Sequence, residues 1–206
     1  MYSGAQIKDI FYTLWDSTQS GTFSNSKLNN IFERAETFYL YKIMNQYGLN
    51  LPTEDEATPY LTNFTVVPTG NVLDITETSS ELPLFERIIA IAFKFTKGGV
   101  TYYEYARQLR DEEKISPLKG KVMYPKFDYT NEEIRIYPQT ETCSEAKGLY
   151  FRTIFGIDVA STTENLPFSS KNVQAIVDYA LSIAAQTTRE DGFYNVNERE
   201  MAQNDL

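Results

Sequence analysis

Ser-x-x-Lys, the spacing in which a lysine can activate a serine hydroxyl, occurs at Ser24/Lys27, Ser116/Lys119 and Ser144/Lys147. The companion Lys-Thr-Gly element is absent and Ser24 stands where a helix needs a cap, so the recurrence marks a loose pattern and nominates no nucleophile. Gly120-Lys121 is followed by Val122, where a magnesium-binding hydroxyl would be required, so the chain has no P-loop, and it has no dinucleotide fingerprint either. Glu54-Asp55-Glu56 and Asp111-Glu112-Glu113 are the densest acid clusters, yet neither has the alternating spacing of a calcium loop. Neighbouring acids in extended chain point different ways and read as a solvated face. Lys114, Lys119, Lys121 and Lys126 share a stretch without an acid. They suit a phosphate backbone or an acidic neighbouring subunit; the alternative is a solvated loop around Pro117 and Pro125, since no stacking platform stands in register with them.

Absences narrow the chemistry further. The chain has no histidine, which excludes Ser-His-Asp and Cys-His mechanisms and the common His-ligated zinc sites. Cys143 is the single cysteine, so no intrachain disulfide or Cys-x-x-Cys pair can form, and a reducing compartment is expected. No catalytic residue, metal site or cofactor site is nominated, although a pair drawn from the 28 acids would leave no sequence signature. With 19 basic residues against those acids the formal charge is −9, which disfavours tracking along nucleic acid by net attraction but leaves room for a locally basic face. The longest apolar run, Ile88 to Phe93, is far shorter than the roughly 20 residues of a spanning helix, and the amino terminus lacks a basic-then-apolar secretion pattern. A soluble chain without a membrane partner is expected.

These residues must be positioned by elements that the patterning outlines. Ile7, Ile10, Phe11 and Leu14 recur with helical spacing, with Trp15 beside them. Ser24 then caps a longer pattern of Leu28, Ile31, Phe32, Ala35, Phe38, Tyr39 and Ile43 that ends near Gly48. Two antiparallel helices burying these stripes against each other are predicted. Pro52, Pro59, Pro68 and Pro83 exclude a long helix between Leu51 and Leu84. Phe64–Val67 and Val72–Ile75 read as strands around the turn Pro68-Thr69-Gly70-Asn71, followed by a strand over Glu86–Phe95, the turn Lys97-Gly98-Gly99 and a strand over Val100–Tyr103.

Tyr103–Ile115, with its charged run at 110–114, reads as a short exposed helix, with a strand as the alternative. Lys121–Tyr124 and Glu133–Tyr137 form an expected hairpin around a turn at Tyr129–Glu132, and Leu149–Ile154 is a further strand. Ser169 or Ser170 caps the strongest helix, striped by Val173, Ile176, Val177, Ala180, Leu181 and Ala184. The order implies an α+β fold, with a helical layer from both chain ends packed beside a central antiparallel sheet. Residues 1–191 form one expected domain: a helical hairpin over 1–48, a mainly β region over 49–165 and a helix over 166–191. Residues 192–206 carry no sustained stripe and read as a carboxy-terminal arm or peripheral helix, with Phe193 and Tyr194 as anchors for a neighbouring chain.

Segments in both halves of the chain carry a resemblance. Ile7–Tyr47, with Gln19-Ser-Gly-Thr-Phe-Ser-Asn-Ser-Lys-Leu-Asn and Phe32-Glu-Arg-Ala-Glu, resembles the amino-terminal region of virion structural proteins of crAss-like short-tailed bacteriophages. Ile134-Arg-Ile-Tyr-Pro138, Leu149-Tyr-Phe-Arg152 and Leu166-Pro167 leading into Ile176-Val-Asp-Tyr-Ala180 are similar to the carboxy-terminal half of the same proteins, while 49–84 departs most. The resemblance implies a non-enzymatic neck component of the virion, made in the host's cytoplasm, that forms a ring of about twelve copies between portal and tail. Its partners would be its own copies, the portal or adjoining tail rings, and DNA sliding through the lumen without sequence-specific binding. Fifteen tyrosines supply contact area suited to such interfaces. The rivals are a virion-associated cell-wall glycosidase using carboxylates alone and a small monomeric interaction domain.

Overall fold

Capping explains where the helices begin. In the computed structural model, which describes residues 1–15, 23–47, 54–74, 85–97, 99–110, 125–129, 133–137 and 142–204 (side chains at 54, 85, 97 and 189–204 excepted), helix α1 spans Gly4–Leu14. Ser3 and Gln6 close its first turn reciprocally, each side chain accepting the other's backbone N–H. Helix α2, Asn25–Gln46, starts after Ser24, whose hydroxyl accepts the Lys27 N–H at 3.2 Å. After the four-residue helix α3, Glu54–Ala57, the last helix, α4, spans Ser170–Asn204. Ser169 is its cap, because Asn172 N–H donates to the Ser169 hydroxyl while Asn172 Oδ1 accepts the Ser169 N–H. No helix among the described residues is long and apolar enough to cross a membrane.

The chain divides into two compact units. The helical unit joins Met1–Pro59 to Ile154–Leu206. Its core combines Ile7 and Phe11 of α1, Leu28, Ile31, Phe32, Ala35, Tyr39 and Ile43 of α2, and Val173, Ile176, Val177, Ala180 and Ala184 of α4. α2 packs chiefly on α4, while Phe11 meets Phe32 edge-on at 5.7 Å and stacks on Trp15. Two buried polar residues fix loops to this core. Glu36 accepts the N–H groups of Phe155 and Gly156 at 2.7 and 3.1 Å, and Asn172 Nδ2 donates to the Tyr39 hydroxyl and the Glu56 carbonyl. A Cβ on Gly4 would sit 1.7 Å from the Asp158 carbonyl oxygen, so only glycine permits this approach.

The sheet unit, Tyr60–Thr153, holds seven strands: β1 Leu61–Val66, β2 Val72–Asp74, β3 Phe85–Lys97, β4 Val100–Gln108, β5 Lys126–Tyr129, β6 Glu133–Tyr137 and β7 Cys143–Arg152. Their order is β1-β7-β3-β4-β5-β6-β2, which makes the sequence neighbours β1 and β2 the two outer strands. Val67–Asn71 joins those strands and can span at most about 20 Å, so the sheet must curl. Gly70 (φ 60°) and Asn71 (φ 62°) supply the positive φ pair of a two-residue type I′ loop, closed by reciprocal Thr69 and Val72 hydrogen bonds. Asn71 then clasps the curl: its buried Oδ1 accepts the Cys143 N–H at 2.7 Å and its carbonyl accepts the Ile136 N–H. The inner face buries Phe64, Leu73, Ile91, Phe93, Phe95, Phe127, Ile134, Ile136 and Tyr150 in one cluster.

The fold is α+β as the element order predicts, with helices drawn from both chain ends and the sheet from the middle. The sheet is mixed, however, not wholly antiparallel. β4 and β5 run parallel in the register Arg107↔Lys126, a pairing open to them because the connection between them exceeds the dozen residues that a parallel crossover needs. Tyr103–Gln108 is strand instead of helix, since alternation along β4 buries Tyr102, Glu104 and Ala106 more deeply than Tyr103, Tyr105 and Arg107; residues 111–115 lie outside the described residues. β6 pairs with Lys126–Tyr129; the expected hairpin strand Lys121–Tyr124 also lies outside the described residues, and β7 begins six residues before Leu149. Phe38 is 52% exposed, outside the buried α2 stripe in which it was expected. The backbone of α4 stays helical to Asn204, so residues 192–204 take the helical one of the two forms expected for them, an arm or a peripheral helix.

Candidate functional site

Of the residues the sequence nominates, Lys126 opens β5, half-buried and opposite Tyr137 of β6. Lys114, Lys119 and Lys121 lie outside the described residues, and Phe193 and Tyr194 lie on the α4 backbone with side chains outside that description. Ser24 is engaged as a cap. Ser144, at a register irregularity of β7, donates to the Lys94 carbonyl at 3.2 Å, while Lys147 Nζ pairs with Glu145 at 2.9 Å, so each member of this Ser-x-x-Lys is engaged with another group. Ser116/Lys119 and Asp111–Glu113 lie outside the described residues. Among the described residues no group of three His, Cys, Asp or Glu side chains is placed to hold a metal ion.

What the sequence did not single out is the outward face of β1, β7, β3 and β4. Pairing registers align Thr65, Lys147, Ala92 and Tyr105 in one row across the four strands, and Glu145, Lys94 and Tyr103 in the next. The Tyr103 hydroxyl donates to Glu145 Oε1 at 2.6 Å, Lys147 Nζ reaches the same oxygen at 2.9 Å, and Lys94 Nζ approaches Oε2 at 3.8 Å. Both ammonium groups also stand over the Tyr103 ring, at 5.5 Å for Lys94 and 5.1 Å for Lys147. The Tyr103 hydrogen bond, then Lys147, hold the Glu145 carboxyl below its ordinary range, and Glu145 with Tyr103 raises Lys147. Beside this fixed network Tyr105 is 82% exposed. It walls a groove of about 580 Å³ floored by Ala90 and Ala92 and bounded by Asn63, Thr65 and Leu149. Alternation along Val100–Gln108 places Tyr103 and Tyr105 on one face, but the strand register is what brings Lys94, Glu145 and Lys147 beside them.

A second exposed aromatic pair lies on the helical unit. Phe38 and Tyr41, one turn apart on α2, are each about half exposed, and Asn30, Glu33, Arg34 and Thr37 line a depression of about 520 Å³ leading to Phe38. Neither surface contains paired carboxylates in a cleft. No protein-family model matches the chain, and no curated protein sequence matches it.

Proposed function

We propose that the chain is a structural subunit of a ring in the neck of a short-tailed phage, a head-to-tail connector that works by binding and not by catalysis. The observation that carries this reading is the outward strip of α2, where Phe38 and Tyr41 expose large apolar surface on a chain of formal charge −9. Exposed aromatic side chains of this size, rimmed by polar residues, favour protein contact, and Tyr and Phe are enriched in the buried centres of such interfaces. A closed ring needs two different contact patches on each copy, and the strip on α2 supplies one. Phe193 and Tyr194 near the end of α4 are proposed as anchors on an adjacent copy, with Lys126 and the preceding lysines as polar contacts. The acidic chain lets DNA slide through the lumen without sequence-specific attachment. The virion is the proposed location, with the portal and adjoining rings as further partners.

Sedimentation velocity and native mass spectrometry of the purified chain across a concentration series test the reading. A closed oligomer of about twelve copies is expected, reduced to monomer by Phe38→Glu with Tyr41→Glu. A chain that stays monomeric at every concentration and binds no portal or tail ring overturns it.

A further inference from the structure

The outward sheet face has a composition unlike the chain as a whole. On a chain of formal charge −9, Lys94, Lys147 and Arg107 share this face with Glu145 as the carboxylate of the network. Tyr103, Tyr105 and Arg107 follow one another at alternate positions of β4, so all three project from the same side of the sheet. Each lysine ammonium offers three N–H donors, and the Lys94 and Lys147 side chains are 31% and 50% exposed beside Glu145. The face therefore combines a stacking platform with cations in register, the pairing that sequence inspection failed to find around Lys114–Lys126.

We infer that this face binds single-stranded nucleic acid, with Tyr105 stacking a base and Lys94, Lys147 and Arg107 meeting the flanking phosphates. The chemistry favours this occupant on three grounds. A sheet surface with protruding aromatic rings accepts unpaired bases, whose flat faces are exposed, and not duplex, whose bases are already stacked. Local positive charge on an acidic chain is complementary to phosphate. The groove beside Tyr105 is floored by the small side chains Ala90 and Ala92, which admit a flat ring, and is edged by Asn63 and Thr65, which can hydrogen-bond base edges. Glu145 fixes Tyr103 and the Lys147 ammonium before any ligand arrives, which lowers the ordering cost of binding. From Tyr103 to Arg107 the strand covers about 13 Å, a footprint of only a few nucleotides. This inference stands apart from the ring reading, which rests on α2.

The test is fluorescence anisotropy of the full chain with labelled oligothymidylate, oligouridylate and a duplex of equal length, over a salt series. Binding to one or both single strands is expected, with log affinity against log salt falling at a slope near −2, the value for about three neutralised phosphates. Preference between the two single strands identifies DNA or RNA as the source. Tyr105→Ala, at a position too exposed to disturb folding, should weaken binding roughly 5- to 150-fold, the loss of one base stack. Lys94→Glu with Lys147→Glu should abolish it while circular dichroism stays unchanged. Absence of binding, equal binding of duplex, or indifference to Tyr105→Ala overturns the inference. So does a Tyr105→Ala variant that changes only self-association, which would make the face a protein contact. Loss of the ring through α2 variants with oligonucleotide binding intact would separate the two readings.

Discussion

Replacing Asn71 measures how firmly the curled sheet is clasped. Asn71 has φ 62°, a conformation that costs an ordinary L residue about 1 to 2 kcal/mol and a glycine almost nothing. Its Oδ1 is the acceptor of the buried Cys143 N–H, and a buried donor left without its acceptor costs about 1 to 3 kcal/mol. Asn71→Ala loses the bond and incurs the backbone strain, so local opening should become easier by about 2 to 5 kcal/mol. Asn71→Gly loses the bond alone, or about 1 to 3 kcal/mol. Cys143 supplies the reporter. It is the single cysteine, it is buried at the first position of β7, and burial pushes its thiol pKa up, so labelling requires opening. When closing is fast, the labelling rate of an aromatic disulfide reagent follows the open population. Relative to the native chain, labelling should accelerate about 5- to 150-fold in Asn71→Gly and about 30- to 4000-fold in Asn71→Ala, at a tenfold change per 1.4 kcal/mol. A glycine variant labelled at the native rate refutes the clasp, and equal rates for glycine and alanine refute the backbone argument.

Two further outcomes follow from buried polar groups. Glu36→Ala strands the N–H groups of Phe155 and Gly156 and should destabilise the helical unit by about 2 to 4 kcal/mol in urea unfolding, while Glu36→Gln, which keeps a neutral acceptor, should cost about half as much. Burial raises the Tyr129 phenol to about 12 and, with the Glu56 carboxylate adding to it, raises Tyr39 further. Because the folded state holds these protons more tightly, their contribution is complete below the ordinary phenol value and is lost as pH rises through the folded values. Burial also raises Tyr150, so phenolate absorbance should show at least three tyrosines titrating late, Tyr39 and Tyr129 the latest and together with unfolding; their early titration in a still-folded chain would contradict the burial.

Local chemistry was the legible part of the sequence. Ser24 and Ser169 announce α2 and α4 because a capping hydroxyl acts within three residues, and Pro68-Thr69-Gly70-Asn71 announces its turn because positive φ selects Gly and Asn. Pairing was not legible. The strands flanking that turn look like hairpin partners, yet each finds its ladder elsewhere, β1 on β7 and β2 on β6, and nothing local encodes so distant a choice. Phe38 and Tyr39 are adjacent and both fit a helical stripe, so spacing alone cannot say that Tyr39 turns inward to Asn172 while Phe38 faces solvent. The binding face stayed hidden for a related reason. Tyr102 and Tyr103 blur the alternation of β4, and Lys94, Glu145 and Lys147 become neighbours only through the β3–β7 register.

The register Leu61↔Phe151 bears on how this protein can change. The first and last strands of the sheet unit are antiparallel partners, so the places where the chain enters and leaves lie about 5 Å apart. To the helical sequence, everything from Tyr60 to Thr153 is a cassette inserted at one point, equivalent to a tight loop whose closure the β1–β7 ladder already secures. Lengthening, shortening or exchanging that cassette leaves the spacing of its two ends unaltered. The helical scaffold and the sheet it carries are thereby free to diverge at different rates, one held by its buried contacts and the other open to recombination as a module.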